Sequence, residues 1–483
     1  MTVARRVARN AVYKVSSTVV SNISGLFLVI ILARVLKPNQ FGIYSLTLSI
    51  TMLALVFSNL GISSAITRYI SYYHGKQNLK KIRGHFKYFL KLELCLALII
   101  SISLVIYSKR IALIFSNQNL EMPLKFAGVI VFFASLVDVI NAFFSGLQEF
   151  RYIFIKQIVY EVFRWSFVVP LSYLFLAAGA VEGIALAYLA TFVILIIIMI
   201  RKFKNYIFGD ADAADNKVLS FVGYTTFANI TGIIYAYIDS LMIGYLLNTT
   251  DVGYYRAAYT VILAVISLIS MSDVLFPVFT QLEGISINNA IHKLMKYTSL
   301  ISFPISIVIL FLSNKIILII YGQKYLVAAQ VMKILSLMII PSSYNYLGTI
   351  FSAKEVPKYS AYVTVTSMIL NVFLNYLLIK TIGIKGAALA TLISKVFNII
   401  LILYLLYHIF NLDIPITILL KSVFCLLITV AILEILPYTS SLILVLIKIT
   451  FSISMYYLTL IATKVLTYED IIYIFKLVKY LKI

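Results

Sequence analysis

Long apolar runs occupy almost the whole chain, cut by short clusters of charge and by Gly, Pro and Asn turns. They fall at about 15–36, 43–66, 86–107, 124–147, 153–177, 181–200, 218–247, 252–280, 294–320, 326–351, 357–379, 384–409, 415–436 and 441–463. Each is near the roughly 20 residues a helix needs to cross the hydrocarbon of a bilayer. A backbone in lipid must satisfy its own hydrogen bonds, and runs of this length do so as helices. The alternating strands of about ten residues that build a membrane β-barrel do not occur. The pattern predicts an all-α membrane protein with about 14 transmembrane helices and no sizeable extramembrane domain.

Composition narrows the class further. Of 483 residues, 62% are hydrophobic and 12% charged, and mean hydropathy is +1.01. Soluble domains run near ~45–50% apolar and ~25% charged, so soluble enzymes, disordered proteins and disulfide scaffolds are excluded. Cys95 and Cys425 both lie inside apolar runs, so no disulfide framework is expected, and neither a metal site nor a cofactor. The net charge of +22 fits cationic loops against anionic headgroups better than nucleic acid. With both termini cytoplasmic, the inner segments hold 24 Lys and Arg and the outer segments nine. That bias predicts N-in, C-in, which requires an even number of spans. The run 15–36 lacks a small-residue cleavage site and reads as a retained first helix.

The chain also repeats itself. Ala33-Arg34-Val35-Leu36 followed by Gly42-Ile43-Tyr44 is answered by Gly244-Tyr245-Leu246-Leu247 followed by Gly253-Tyr254-Tyr255, at an offset of 211 residues. Ser145-Gly146 with Arg151-Tyr152 is answered by Ser352-Ala353 with Lys358-Tyr359, at 207. Gly183-Ile184-Ala185-Leu186-Ala187 is answered by Gly386-Ala387-Ala388-Leu389-Ala390, at 203. Three matches in chain order divide the protein into a six-helix lobe (1–205), a second (215–410), an added transmembrane hairpin (411–464) and a cytoplasmic amphipathic tail (465–483). Lobes with even numbers of spans enter the membrane alike. A substrate site is then expected between them, as in parallel-repeat transporters.

Leu36-Lys37-Pro38-x-x-Phe41-Gly42-x-Tyr44 is one of three segments that carry a resemblance. The others are Asp239-x-x-Met242-x-Gly244-x-x-Leu247 with Gly253-x-Tyr255, and Asn375 followed by Gly383-Ile384-x-Gly386-Ala387-Ala388-Leu389-Ala390-Thr391. Together they resemble the polysaccharide (oligosaccharide-lipid) flippases of the multidrug/oligosaccharidyl-lipid/polysaccharide exporter superfamily. The resemblance covers essentially the whole chain. It implies a V-shaped pair of six-helix lobes in the cell membrane. These would move a polyprenyl- or dolichyl-(pyro)phosphate-linked sugar chain from the cytoplasmic to the outer leaflet. Membrane lipids and glycan-assembly enzymes are the implied partners. A cation-coupled multidrug antiporter of the same superfamily is the alternative. A membrane glycosyltransferase or polymerase fits less well, because every outer loop is short and no catalytic constellation is present; no enzyme activity is expected.

Charges inside the runs are the candidate chemistry. On insertion scales each costs about 2.5–3.5 kcal/mol at a helix centre. Arg164 and Lys395 sit nearest the middle of their helices, Arg34 and Arg256 toward outer ends, and Arg68 at an inner end. These cations are candidates for the carrier phosphate, since guanidinium binds phosphate oxygens bidentately. Asp138, Glu161, Asp239 and Asp273 are candidates for ion coupling or salt bridges. Two of them have an obvious structural reading: Glu161 and Arg164 are three apart on one helix, and Asp239 and Arg256 flank one hairpin. Lys14, Ser17, Ser21 and Ser24 or Gly25 form a polar stripe along the first span, suited to a cavity wall or to close packing. Asp210-x-Asp212 reads as a solvated linker, Asn248-Thr249-Thr250 as a chance sequon, and the basic and aromatic stretch 68–91 as a headgroup-binding segment. Thr467-x-x-Asp470 resembles a capping box opening an interfacial helix.

Overall fold

The structure, a computed structural model, describes residues 3–214, 218–435, 442–467 and 470, and the side chains at 9–214, 230–272, 274–433, 447–467 and 470. Every regular element among them is helical. In chain order they are α1 (Val3–Asn59), α2 (Ile62–Gly75), α3 (Leu79–Ile114), α4 (Glu121–Gly146), α5 (Phe150–Lys202), α6 (Lys204–Ile207), α7 (Val218–Leu246), α8 (Thr249–Ile269) and α9 (Ser272–Gln281). Then follow α10 (Ile285–Tyr321), α11 (Leu326–Ser336), α12 (Ile339–Ser343), α13 (Thr349–Ala353), α14 (Pro357–Ile382), α15 (Ile384–Phe410), α16 (Ile416–Ile435) and α17 (Leu442–Ala462). Among the described residues nine helices are long and apolar enough to cross a membrane, with shorter apolar helices at Ile230–Leu246 and Ile447–Ala462.

Two of these helices hold more than one predicted run. α1 has 57 residues, about 85 Å at the α-helical rise, well over twice the hydrocarbon thickness. It is two helices meeting at Lys37 (φ 60°, ψ 169°), directly before Pro38. Proline has no N–H to donate and crowds the residue before it out of the helical region. The loop expected at 37–42 is therefore reduced to a kink at one residue. α5 has 53 residues and breaks likewise at Phe175 and Leu176 (φ 54°, ψ −132°).

The run 326–351 behaves differently from its prediction. It is no single helix but α11, α12, a 3-10 turn (Asn345–Gly348) and α13 in succession. Pro341, followed by Ser342-Ser343, interrupts the hydrogen-bond ladder. Irregular backbone at such depth is tolerated only inside protein, and Tyr344, Tyr346, Leu347, Ile350 and Phe351 are all fully buried.

The chain forms two compact units. The first takes residues up to Ala257 together with Ile320–Tyr325 and Leu374–Ala387. Its core brings Ile62, Ile66 and Ile70 of α2, Phe86 and Phe89 of α3, and Ile140, Phe143 and Phe144 of α4 into one cluster. The second takes Ala258–Ile319, Leu326–Phe373 and the chain from Ala388 onward. Phe279, Phe303, Tyr346, Leu406 and Tyr456 are central to its core. Val12, Val15, Val19, Ile23 and Phe27 form an exposed apolar stripe down α1, three or four residues apart and so on one face.

Candidate functional site

In the first unit a polar cluster forms where α1 lies along α5. Gln157, Glu161, Arg164 and Trp165 follow one another at intervals of four, three and one along α5, and so share a face. Ser24 comes from the polar stripe of α1. Its hydroxyl donates to Glu161 Oε2 at 2.6 Å, and Trp165 Nε1 donates to Ser24 Oγ at 2.8 Å. Gln157 Nε2 donates to Glu161 Oε1 at 2.8 Å. Arg164 Nη2 completes the set at 2.5 Å from Glu161 Oε2, with the two side chains 15% and 7% exposed.

The pair anticipated from the three-residue spacing is thus present, and the carboxylate is saturated with donors. The guanidinium is not. It lies over the Tyr160 ring at 5.4 Å, and its buried Nε has no hydrogen-bond partner among the described residues. Its charge is compensated on its own helix while part of its donor fork stays open. A guanidinium with an unused N–H can still donate to an anionic oxygen.

A second buried carboxylate lies on α7. Asp239 is 3% exposed; Tyr255 of α8 donates its hydroxyl to Oδ2 at 2.6 Å, and Asn375 of α14 donates Nδ2 to Oδ1 at 2.6 Å. Arg256, half-buried on α8, stacks over the Tyr237 ring at 5.5 Å. Arg34 is exposed and donates Nε to the carbonyl of Ile320 at 2.7 Å. Arg68 is exposed beside Tyr69, 5.8 Å from its ring centre. Lys395 is half-buried on α15, next to a buried Ser394 that accepts from Asn371 Nδ2 at 3.3 Å. Asp138 is exposed on an otherwise buried stretch of α4. The side chain of Asp273 lies outside the described residues.

The repeat residues Gly42 and Gly253 meet in the first unit. A Cβ built on Gly42 would fall 1.6 Å from the Thr249 carbonyl oxygen and 3.0 Å from Gly253 N. One built on Gly253 would fall 2.1 Å from the Pro38 carbonyl oxygen and 3.2 Å from Gly42 N. Thr249 Oγ1 donates to Asn39 Oδ1 at 2.7 Å and accepts from Asn117 Nδ2 at 2.9 Å. Tyr325 donates its hydroxyl to the Ala33 carbonyl at 2.8 Å. The sequon residue Asn248 caps α8: its Oδ1 accepts from Asp251 N at 2.9 Å.

The acidic linker has a structural role that its charge did not suggest. Arg83 donates to the carbonyls of Asn205 and Asp210, Lys87 to Gly209 and Lys81 to Ala213. Backbone oxygens of the linker meet these cations, and Gly84 leaves room for Asp212 to press against α3. Part of the basic stretch expected on headgroups is therefore engaged with the linker. One residue outside the expected set stands out. Glu93, inside the run 86–107, is fully buried with no hydrogen-bond partner for either oxygen among the described residues. A lone carboxyl in an apolar run was the signal for it.

Helices of this length and apolarity, carrying buried charged and polar clusters, define a multi-pass membrane protein. Residues 7–283 match the family described as "Polysaccharide biosynthesis protein", and the chain belongs to that family. It is 26% identical over 390 residues to an uncharacterized membrane protein of Methanocaldococcus jannaschii, covering 74% of this chain and 77% of that protein. It is 23% identical over 407 residues to the lipopolysaccharide biosynthesis protein WzxC of Escherichia coli, covering 80% and 76%. Among solved structures, lipid II flippase MurJ in its inward closed conformation shares the fold, with a TM-score of 0.71 at 18% identity over 96% of this chain and 100% of that one.

Proposed function

We propose that the protein is a flippase. It moves a polyprenyl- or dolichyl-(pyro)phosphate-linked oligosaccharide from the cytoplasmic to the outer leaflet of the cell membrane, by alternating access and for cell-surface glycan synthesis. The observation that carries this reading is the family match, which spans the Glu161–Arg164 cluster. WzxC is named for lipopolysaccharide biosynthesis and MurJ as a lipid II flippase, which supports the same substrate class here. The reading takes the chain as a transporter and not an enzyme, working beside glycan-assembly enzymes.

Fourteen crossings, N-in and C-in, belong to the same proposal, as do lobes at 1–205 and 215–410, a hairpin at 411–464 and a tail at 465–483. The reciprocal contact of Gly42 and Gly253 supports the repeat, because Pro38 and Thr249 stand at the same offset of 211 residues as the two glycines. Arg164, Arg34, Arg68, Arg256 and Lys395 are the proposed phosphate contacts. Asp138, Glu161, Asp239 and Asp273 are the proposed coupling or salt-bridge groups.

The test is a vesicle assay. The purified chain is reconstituted with a fluorescent polyprenyl-pyrophosphate oligosaccharide, and its transbilayer movement is followed with a quencher that cannot cross the membrane. Movement well above that in protein-free vesicles is expected. Movement equal to protein-free vesicles, together with export of cationic dyes, would point to the drug antiporter instead.

A further inference from the structure

Glu93 of α3 is surrounded on its own helix by Phe86, Phe89 and Ala97, all at most 2% exposed. Its polar neighbours are Ser58 and Asn59 at the end of α1 and Ser135 and Asp138 on α4. These neighbours bond partly among themselves, and none carries a positive charge. Ser58 and Ser135 bond to each other at 2.6 Å. Asn59 donates Nδ2 to Ser63 Oγ at 2.8 Å, and its Oδ1 accepts from Ser63 N. A charged carboxylate with no partner in such surroundings is strongly disfavoured, whereas a neutral carboxyl needs one weak acceptor and no counter-charge.

Asp138 complements it. Its neighbours Val137 and Val139 are buried, yet its own side chain is exposed. The titratable groups facing Asp138 from α5 are Lys156 and Tyr188, and Lys156 donates to Gln157 Oε1 at 3.4 Å. One carboxyl is thus sealed away and a second, close to it, is exposed. An alkali cation would need several oxygens aimed at one point, and the amide oxygen of Asn59 is already spent on Ser63.

We propose that Glu93 is a proton-binding site, neutral in this packing, which exchanges its proton with the outside through Asp138. The O–H bond of the Glu93 carboxyl breaks, its electron pair stays on the carboxylate, and the proton passes to the Asp138 carboxylate and then to water. Nothing is oxidised or reduced. Release leaves an unpaired buried carboxylate, which favours a looser packing of α3 on α4. Proton exchange and conformational change are thereby coupled. As the coupling step of transport this rests on the flippase reading, but the proton site itself does not.

Infrared difference spectroscopy of the full chain in lipid nanodiscs, titrated with pH, tests it. A protonated-carboxyl band is expected in the wild type at neutral pH, lost in Glu93→Gln and shifted in Glu93→Asp. In Asp138→Asn the band should persist but exchange with D2O more slowly. Glu93→Gln should fold as well as the wild type, since a neutral side chain replaces a neutral one, and its flipping should lose any response to an imposed pH gradient. A band unaffected by both Glu93 substitutions would overturn the proposal. So would sodium, compared with choline at equal ionic strength, raising the Tm of the wild type but not of Glu93→Gln. If no lipid-linked sugar moves yet the band is lost in Glu93→Gln, the proton site stands and the flippase reading alone falls.

Discussion

Gly42 and Thr249 approach so closely that a single methyl group on Gly42 would overlap the Thr249 carbonyl oxygen, 1.6 Å away. The neighbour is backbone, so it cannot swing aside as a side chain would. Gly253 meets the Pro38 carbonyl in the same manner at 2.1 Å. Two helix termini separated by more than two hundred residues are therefore joined through glycine, and neither position tolerates a Cβ without moving the other.

Gly42→Ala and Gly253→Ala should each lower stability by roughly 1–3 kcal/mol, the ordinary range for overpacking. The double variant should lose less than the sum, since both changes push the same helix ends apart. Thermal unfolding in detergent measures this. A Gly42→Ala protein as stable as the wild type would contradict the close approach.

The Glu161–Arg164 pair gives a sharper test, because structure and transport separate. Arg164→Gln and Glu161→Gln should each destabilise by about 3–5 kcal/mol, as expected when one partner of a buried ion pair is removed. The double Gln variant should recover most of that stability. If Arg164 also contacts the carrier phosphate, flipping stays lost in the stable double variant; full recovery of flipping would assign Arg164 a purely structural role. For Lys395, Ala should abolish flipping at normal protein level and Arg should retain part of it.

Asp470 supplies a pH dependence outside the membrane. Burial works against its charge, but bonds from Lys296 and from Thr467 prevail and hold the carboxyl below the usual range. Thr467 N donates to Asp470 Oδ2 at 2.9 Å, one of the two bonds of a capping box, and Lys296 pairs with the same oxygen; the interfacial helix expected after it lies outside the described residues. A depressed native pKa contributes stability above the unfolded value and loses it as pH falls through the native one. Wild-type stability should therefore decline on acidification below the ordinary carboxylate range, and Asp470→Asn should flatten that part of the profile. Tm against pH for both proteins checks the sign.

Topology is open to direct measurement. Reporters fused after Lys81, Asp212 and Lys482 should lie in the cytoplasm and one at Asn248 outside. The first two lie close together, since Lys81 donates to the Ala213 carbonyl and Asp212 N to that of Lys80. Opposite locations for Lys81 and Asp212 would contradict both the fold and the orientation.

Run length, membrane residence and the positions of most helices were legible in the sequence. Partition into lipid is additive over a local window, so twenty apolar residues decide it without reference to the rest of the chain. Glu161 with Arg164 was equally local, three residues apart on one helix, and so was the Thr467–Asp470 bond. What hydropathy could not specify was which helix faces meet, because in a membrane both the packed face and the lipid face are apolar. The same lack of contrast hid Glu93, whose burial depends on α1 and α4 closing over it. Pro341 marked the broken stretch after Ser336, but only the enclosure of Tyr344 and Tyr346 made that break tolerable. The Asn375–Asp239 bond spans 136 residues and the Thr249–Asn39 bond 210. The sequence singled out Asp239, Asn375 and Thr249 but not Asn39, and tertiary packing alone made them partners, because a hydrogen bond depends on where two side chains end up and not on what lies beside either along the chain.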